Sequence, residues 1–164
     1  MTPTPIPVYF VLLPDSLILD WAGPAEALRI ANRCLVASGQ PEAFAPHFIG
    51  PLAEAVSSVG ATISGIQPLP AALPQLAWLV LLGQPGTTID PRSPGVPELL
   101  HWLRGQRLQS GRLELLTVCA GAVLAAHAGL LDGHRSTIHW EDMDALLDRF
   151  PRLVVSNKLY EVDR

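Results

Sequence analysis

Cysteine is scarce in this chain: only Cys34 and Cys119 occur. Two cysteines cannot build a disulfide framework, so the pair reads as reduced and intracellular. Long hydrophobic runs are missing as well. The longest, Leu76 to Leu82, has seven residues, far below the roughly 20 that a membrane-spanning helix needs. No Lys or Arg precedes the first apolar run, which excludes a secretory signal and leaves a cytoplasmic location as the expectation. There is no basic stripe either. The arginines are scattered from Arg29 to Arg164 and the formal net charge is −4, so these residues alone are a poor nucleic-acid binder. Phosphate loops, dinucleotide fingerprints and metal-ligand clusters are absent from the pattern, and neither a metal nor a cofactor is expected. Aromatic residues make up only 6%, so the core has to be built from Leu, Val, Ala and Ile.

What is present is a strongly apolar chain of 164 residues, 49% hydrophobic, with a mean hydropathy of +0.30. That excludes disorder and fits one domain over residues 1–164. Val8-Tyr9-Phe10-Val11-Leu12-Leu13 is a continuous apolar run, the pattern of a strand buried on both faces. Proline at a first helical position places a helix start at Pro24. Ala25, Leu28, Ala31 and Leu35 then recur at spacings of three and four. Phe44 to Ile49 reads as a strand, Gly60 to Ile66 as a small strand or hairpin, and Trp78 to Leu82 as a buried strand. Thr87 to Pro97 is rich in Pro, Gly and Ser and reads as loop, followed by a helix from Val96 to Leu108. Glu114 to Val118 is a strand, and Ala120 to Ala128 a short Ala-rich helix. Glu141 to Phe150 is a further helix; Leu153 to Val155 and Leu159 to Val162 are late strands. Strands alternating with helices predict a three-layer α/β/α sandwich with a mostly parallel sheet. The last strand stops at the chain end with nothing to cover it, which points to a dimer partner or to a longer protein.

The most informative segment is Leu115-Leu116-Thr117-Val118-Cys119-Ala120-Gly121-Ala122. A buried strand ends, one cysteine appears, and a helix begins among small residues. A side chain there stands at the carboxyl edge of the sheet, where open α/β folds bind ligands. The helix N-terminus favours thiolate over thiol, and amides just after the cysteine suit an oxyanion. Gly121 fits the nucleophile-elbow pattern and Thr117 does not; a buried structural cysteine is the other reading. His139, twenty positions on, is the natural base to partner Cys119, or else a surface histidine beside Trp140. Asp20 is the candidate acid, able to hydrogen-bond a thiol and shift both titrations, or else a turn or cap aspartate. Gly83 and Gln84, in a turn after the Trp78 strand, could line the same edge, as could Ala120. His127 and His134 read as helix-face and turn residues.

Leu12 to Leu28, with Asp15, Asp20-Trp21-Ala22-Gly23-Pro24 and Glu26, resembles the start of ThiJ/PfpI (class I glutamine amidotransferase-like) domains. Val118 to Ala122 and Ala128 to Trp140 resemble their cysteine turn and the histidine after it. The resemblance runs from about residue 8 to the end of the chain. It is strongest to the N-terminal domain of GlxA-type AraC-family transcriptional regulators. It implies a flavodoxin-like fold, with Cys119, His139 and Asp20 at the family's cysteine, histidine and acid positions. It also implies a pocket that senses a small nitrogen-containing metabolite, a homodimer, and DNA binding only through a C-terminal helix-turn-helix region that these residues do not contain. Enzymatic relatives make a cysteine-dependent hydrolase or hydratase the alternative. Gln84 stands where the family often has a second glycine, and Ala120 where isocyanide-hydrating relatives place a hydroxyl. Both departures favour sensing over turnover.

Overall fold

In the computed structural model of the chain, residues 4–85, 89–138 and 143–163 are described. The elements run β1 (Ile6–Val11), α1 (Ile18–Ala37), β2 (Phe44–Gly50), β3 (Glu54–Val56), β4 (Thr62–Ser64), β5 (Gln67–Pro68), β6 (Ala77–Leu81), α2 (Val96–Arg104), β7 (Leu113–Thr117), α3 (Gly121–His127), β8 (Arg135–Ser136), α4 (Met143–Arg149) and β9 (Val154–Val155). The main sheet has the order β5-β2-β1-β6-β7, and every pairing in it is parallel. β3 and β4 form a small antiparallel hairpin, and β8 pairs with β9 in parallel.

The continuous apolar runs of β1 and β6 are explained by burial on both faces. Successive side chains of a strand alternate between the two sides of a sheet. Val8, Phe10, Leu12, Val80 and Leu82 pack toward Trp21, Ala25 and Leu28 of α1. Val11, Leu13, Leu79 and Leu81 pack on the other side, toward α2 and α3. This is the expected three-layer α/β/α arrangement. Each of these large side chains contributes about 1.5–3 kcal/mol by leaving water. In α2, Val96, Leu99, Leu100 and Leu103 are buried, the i, i+3, i+4, i+7 stripe of a helix that covers a sheet.

Asn32 is the one buried residue of α1, and it ties the helix to the start of β2. Its Nδ2 donates to Phe44 O at 2.7 Å, and its Oδ1 accepts from Ala43 N at 3.0 Å and Phe44 N at 3.1 Å. Three backbone groups that would otherwise lack partners are satisfied by one amide.

Several boundaries differ from the sequence expectation. α1 starts at Ile18, not Pro24, and carries Pro24 inside it. Leu17 N donates to Gly83 O at 3.1 Å, so the helix start is set by β6, and the proline costs only the bond to the carbonyl of Asp20. α2 stops at Arg104, before the expected Leu108, because Gly105 follows and the Gln106 side chain takes the Trp102 carbonyl at 3.0 Å. Of the small strand or hairpin expected at Gly60 to Ile66, the strand is found as β4, and its antiparallel partner β3 lies upstream of the expected range. Leu159 to Val162 is not a strand. That segment is held instead by ion pairs, described below. Of the helix expected at 141–150, Met143–Arg149 is seen; Glu141 and Asp142 lie outside the described residues, as do Thr87 and Thr88 of the expected loop.

Candidate functional site

The site begins at the end of β6. Gly83 is buried, and three groups crowd the place where a side chain would project from it. A Cβ there would lie 3.0 Å from Asp20 Oδ2, 3.0 Å from Cys119 Cβ and 3.1 Å from Ala120 N. Any side chain at this position would press on all three groups. Asp20 comes from the first turn of α1, Gly83 from the end of β6, and Cys119 and Ala120 from the β7–α3 turn. Adjacent parallel strands ending at the same edge place all four residues together.

Cys119 has a φ of 53°, the left-handed region that L residues adopt only when the surrounding fold imposes it. The turn is closed on both sides: Val118 N donates to Leu81 O at 2.9 Å and Gly121 N to Val118 O at 2.9 Å. Gly121 is indispensable in a second way. A Cβ there would stand 2.2 Å from Leu81 O and 2.6 Å from Leu81 C, so α3 rests directly on the β6 backbone. Cys119 is exposed.

Asp20 Oδ2 accepts a hydrogen bond from Gly83 N at 3.2 Å. Burial raises the pKa of this carboxyl above the ordinary aspartate value, and the Gly83 bond opposes the rise. Gly83 N–H is committed to Asp20 and Gly121 N–H to Val118. Among the described residues, Ala120 N–H has no such commitment. Gln84 uses its side-chain amide to hold the Pro14 carbonyl, steadying the loop that leads into α1.

Cys119 also lines a groove of about 1020 Å³ that runs along β7, with Leu115, Thr117, His134, Ile138 and Tyr160 among its walls. β7 is the last strand of the sheet. Ala77 N donates to Arg112 O and Val118 N to Leu81 O, so alternate residues bond to β6. Leu115 and Thr117 therefore present their backbone groups to the groove. Its outer wall is the segment 156–163, anchored by carboxylates. Glu161 accepts from Ser156 Oγ at 2.8 Å and pairs with Lys158 at 3.2 Å and Arg135 at 3.5 Å. Asp163 accepts from Arg135 N at 2.9 Å and meets His134 Nδ1 at 3.2 Å. The Ser156 and Lys158 bonds lower the pKa of Glu161.

Of the residues expected at the site, the structure gathers Cys119, Asp20, Gly83 and Ala120, sets Gly121 beneath them, and gives Gln84 a loop-holding bond. His139 lies outside the described residues. The His134, Arg135, Glu161 and Asp163 wall was missed. The two sides of this wall are up to 29 positions apart in sequence and form no motif, so only the fold reveals them. Among the described residues, no group of three or more His, Cys, Asp or Glu side chains could hold a metal ion. No helix there is long and apolar enough to cross a membrane.

No family model matches the chain. In sequence it is similar to the HTH-type transcriptional regulator CdhR of Pseudomonas aeruginosa, at 32% identity over 164 residues, covering 94% of this chain and 43% of that protein. The chain thus spans less than half the length of that regulator. Among solved structures, an AraC family transcriptional regulator from Pseudomonas putida matches with a TM-score of 0.75 at 23% identity, over 98% of this chain and 80% of that one. A ThiJ/PfpI family protein from Pseudomonas syringae matches with a TM-score of 0.67 at 19% identity, over 98% and 60%. In fold, this chain is a flavodoxin-like α/β domain of the DJ-1/ThiJ/PfpI type, and in sequence it is similar to HTH-type transcriptional regulators.

Proposed function

We propose that these residues form the ligand-sensing part of an AraC-family transcriptional regulator, binding a small nitrogen-containing metabolite beside Cys119 without turning it over. The observation that carries the reading is the convergence on Gly83. The Asp20 carboxyl, the Cys119 Cβ and the amide of Ala120 meet at one edge of the sheet, next to a groove large enough for a metabolite. Asp20 offers a carboxylate to an ammonium group, and Cys119 and Ala120 border the space beside it. Two of the amides an oxyanion would need are already bonded within the protein, which supports binding over catalysis. In this reading the regulator works as a homodimer, DNA contact belongs to a helix-turn-helix region outside these residues, and His139 completes the pocket. A ligand would act by its differential affinity for two states of the assembly.

A cysteine-dependent hydrolase or hydratase is the second reading, favoured by the left-handed φ of Cys119, a feature of strained nucleophile turns. One experiment separates the two. The chain is screened by thermal shift against a panel of amino acids and quaternary amines, and any hit is incubated with the protein and followed by mass spectrometry. Sensing predicts a stabilising hit that persists unchanged and is lost in Gly83→Ala. Consumption of the hit, abolished by Cys119→Ala, would establish the enzyme instead. A hit bound equally well by Gly83→Ala would remove the site from consideration.

A further inference from the structure

A second recess lies at the far end of α3. Three helices finish there: α2 with Arg104, α3 with His127 and α4 with Arg149. The recess holds about 380 Å³ and is lined by these residues together with Asp132, Phe150 and Arg152. It shares no residue with the groove at Cys119.

The charges around it do not balance. Arg152 is paired with Asp132 at 2.7 Å. Arg104 and Arg149 have no carboxylate partner among the described residues. Cations commonly sit near helix C-termini to offset the dipole, and Arg104 does so by donating to the His127 carbonyl at 3.3 Å. Arg149 does not. Its guanidinium stands over the Phe150 ring, 6.0 Å from the centroid. Asp90 feels the charge of Arg149, but its carboxylate is bonded to Arg92.

The imidazole adds an independent sign. His127 Nε2 is buried and has no hydrogen-bond partner among the described residues, although the ring is fixed edge-on to Phe150 at 4.9 Å. A buried polar atom without a partner is uncommon and calls for one. Burial first, then the charges of Arg149 and Arg104, keep the imidazole pKa below its usual value.

We propose that this recess is a binding site for a small dianion, a phosphoryl group or a dicarboxylate, held by Arg104 and Arg149 with His127 as the neutral donor through its Nε2–H tautomer. Two guanidiniums match the paired oxygens of such anions. Phe150 supplies an apolar wall that fixes the Arg149 fork. This recess is separate from the Cys119 site, and its test is independent of the sensing reading.

The test compares thermal unfolding in sodium phosphate and in sodium chloride at equal ionic strength and pH 7. At a phosphate concentration ten times the dissociation constant, the midpoint should rise by about 4 °C for a chain of this size. The rise should vanish in Arg104→Gln/Arg149→Gln, which changes only exposed side chains. A second measurement needs no variant. The His127 ring, followed by NMR across pH, should titrate at higher pH in phosphate than in chloride, because the anion offsets the two guanidiniums. Sodium succinate separates the sources: a rise with phosphate alone marks a phosphoryl group, with succinate alone a dicarboxylate, and with both either dianion. Equal midpoints in all three salts, a rise that survives in the double variant, or an unmoved His127 titration would overturn the proposal.

Discussion

Gly121→Ala sets two well-calibrated effects against each other. Gly121 is the first residue of α3, where the intrinsic advantage of alanine over glycine is at most the roughly 1 kcal/mol of a helix interior. Against that, the new methyl would stand 2.2 Å from Leu81 O, 2.6 Å from Leu81 C and 3.1 Å from Leu82 N, where ordinary contact begins at 3.4 Å. α3 and β6 would have to part by about 1 Å in a close-packed interior. The obstacle is strand backbone, and every residue from Gly121 to Ala126 is buried, so nothing flexible can absorb the strain. Overpacking of this kind costs about 1–3 kcal/mol. We take the upper end, leaving a net loss of about 2 kcal/mol, or a midpoint lowered by about 4–8 °C for a domain of this length. Gly23→Ala is the built-in control. It is also helical, and apart from its chain neighbours nothing lies within 4 Å of its added Cβ; the new Cβ would precede Pro24, which disfavours the helical conformation there, so the two effects should offset and leave stability within about 1 kcal/mol of the parent. Urea and thermal unfolding followed by circular dichroism read both variants. If Gly121→Ala is as stable as the parent, α3 does not rest on β6 as described, and the geometry of the cysteine turn loses its basis.

Asn32→Ala strips partners from Phe44 O, Ala43 N and Phe44 N, and should cost about 3 kcal/mol after partial rehydration of this half-buried site; urea unfolding checks it. The raised pKa of Asp20 means that the folded protein holds this proton more tightly than the unfolded chain. Its ionised form therefore destabilises at neutral pH, and the penalty fades as pH falls through the carboxylate range. Asp20→Asn, which keeps an acceptor for Gly83 N, should be at least as stable as the parent at pH 7, with the advantage gone near pH 4. Glu161 has the opposite sign. Its lowered pKa stabilises the fold above the ordinary glutamate value, and that contribution is lost as pH drops through the folded value. Glu161→Gln should speed proteolysis within 156–163 at pH 7 and make no difference at acid pH.

Much of the fold could be read from apolar runs, because a parallel sheet covered on both faces leaves few polar positions in its strands. Trp78 to Leu82 and Val8 to Leu13 announce themselves in this way. The start of α1 could not be read. Proline usually marks a first turn, but the bond from Leu17 N to Gly83 O, between residues far apart in sequence, moved the start upstream to Ile18. The end strand failed for a related reason. Leu159, Tyr160 and Val162 have strand-like composition, yet they are 96%, 74% and 62% exposed, and the carboxylates of Glu161 and Asp163 decide the path. At the site, Cys119, Asp20 and Gly83 were each visible as unusual residues at strand or helix ends. Their meeting around one missing Cβ was not, since it depends on three elements brought to one edge. The arginines at the basic recess are scattered in sequence, and only helix packing brings Arg104 and Arg149 to the same mouth.

The strand order has a consequence for how the chain reaches this structure. In the main sheet Ile6 lies beside Phe44, Val8 beside Trp78 and Ala77 beside Leu113, so each ladder joins stretches separated by tens of residues. Among the described strands, only the short β3–β4 hairpin can zip from a local turn. Loop closure must precede nearly every sheet bond, which places this chain among slow folders. Until β1 is flanked by both neighbours, its bare apolar strand is the segment most exposed to mispairing with other chains.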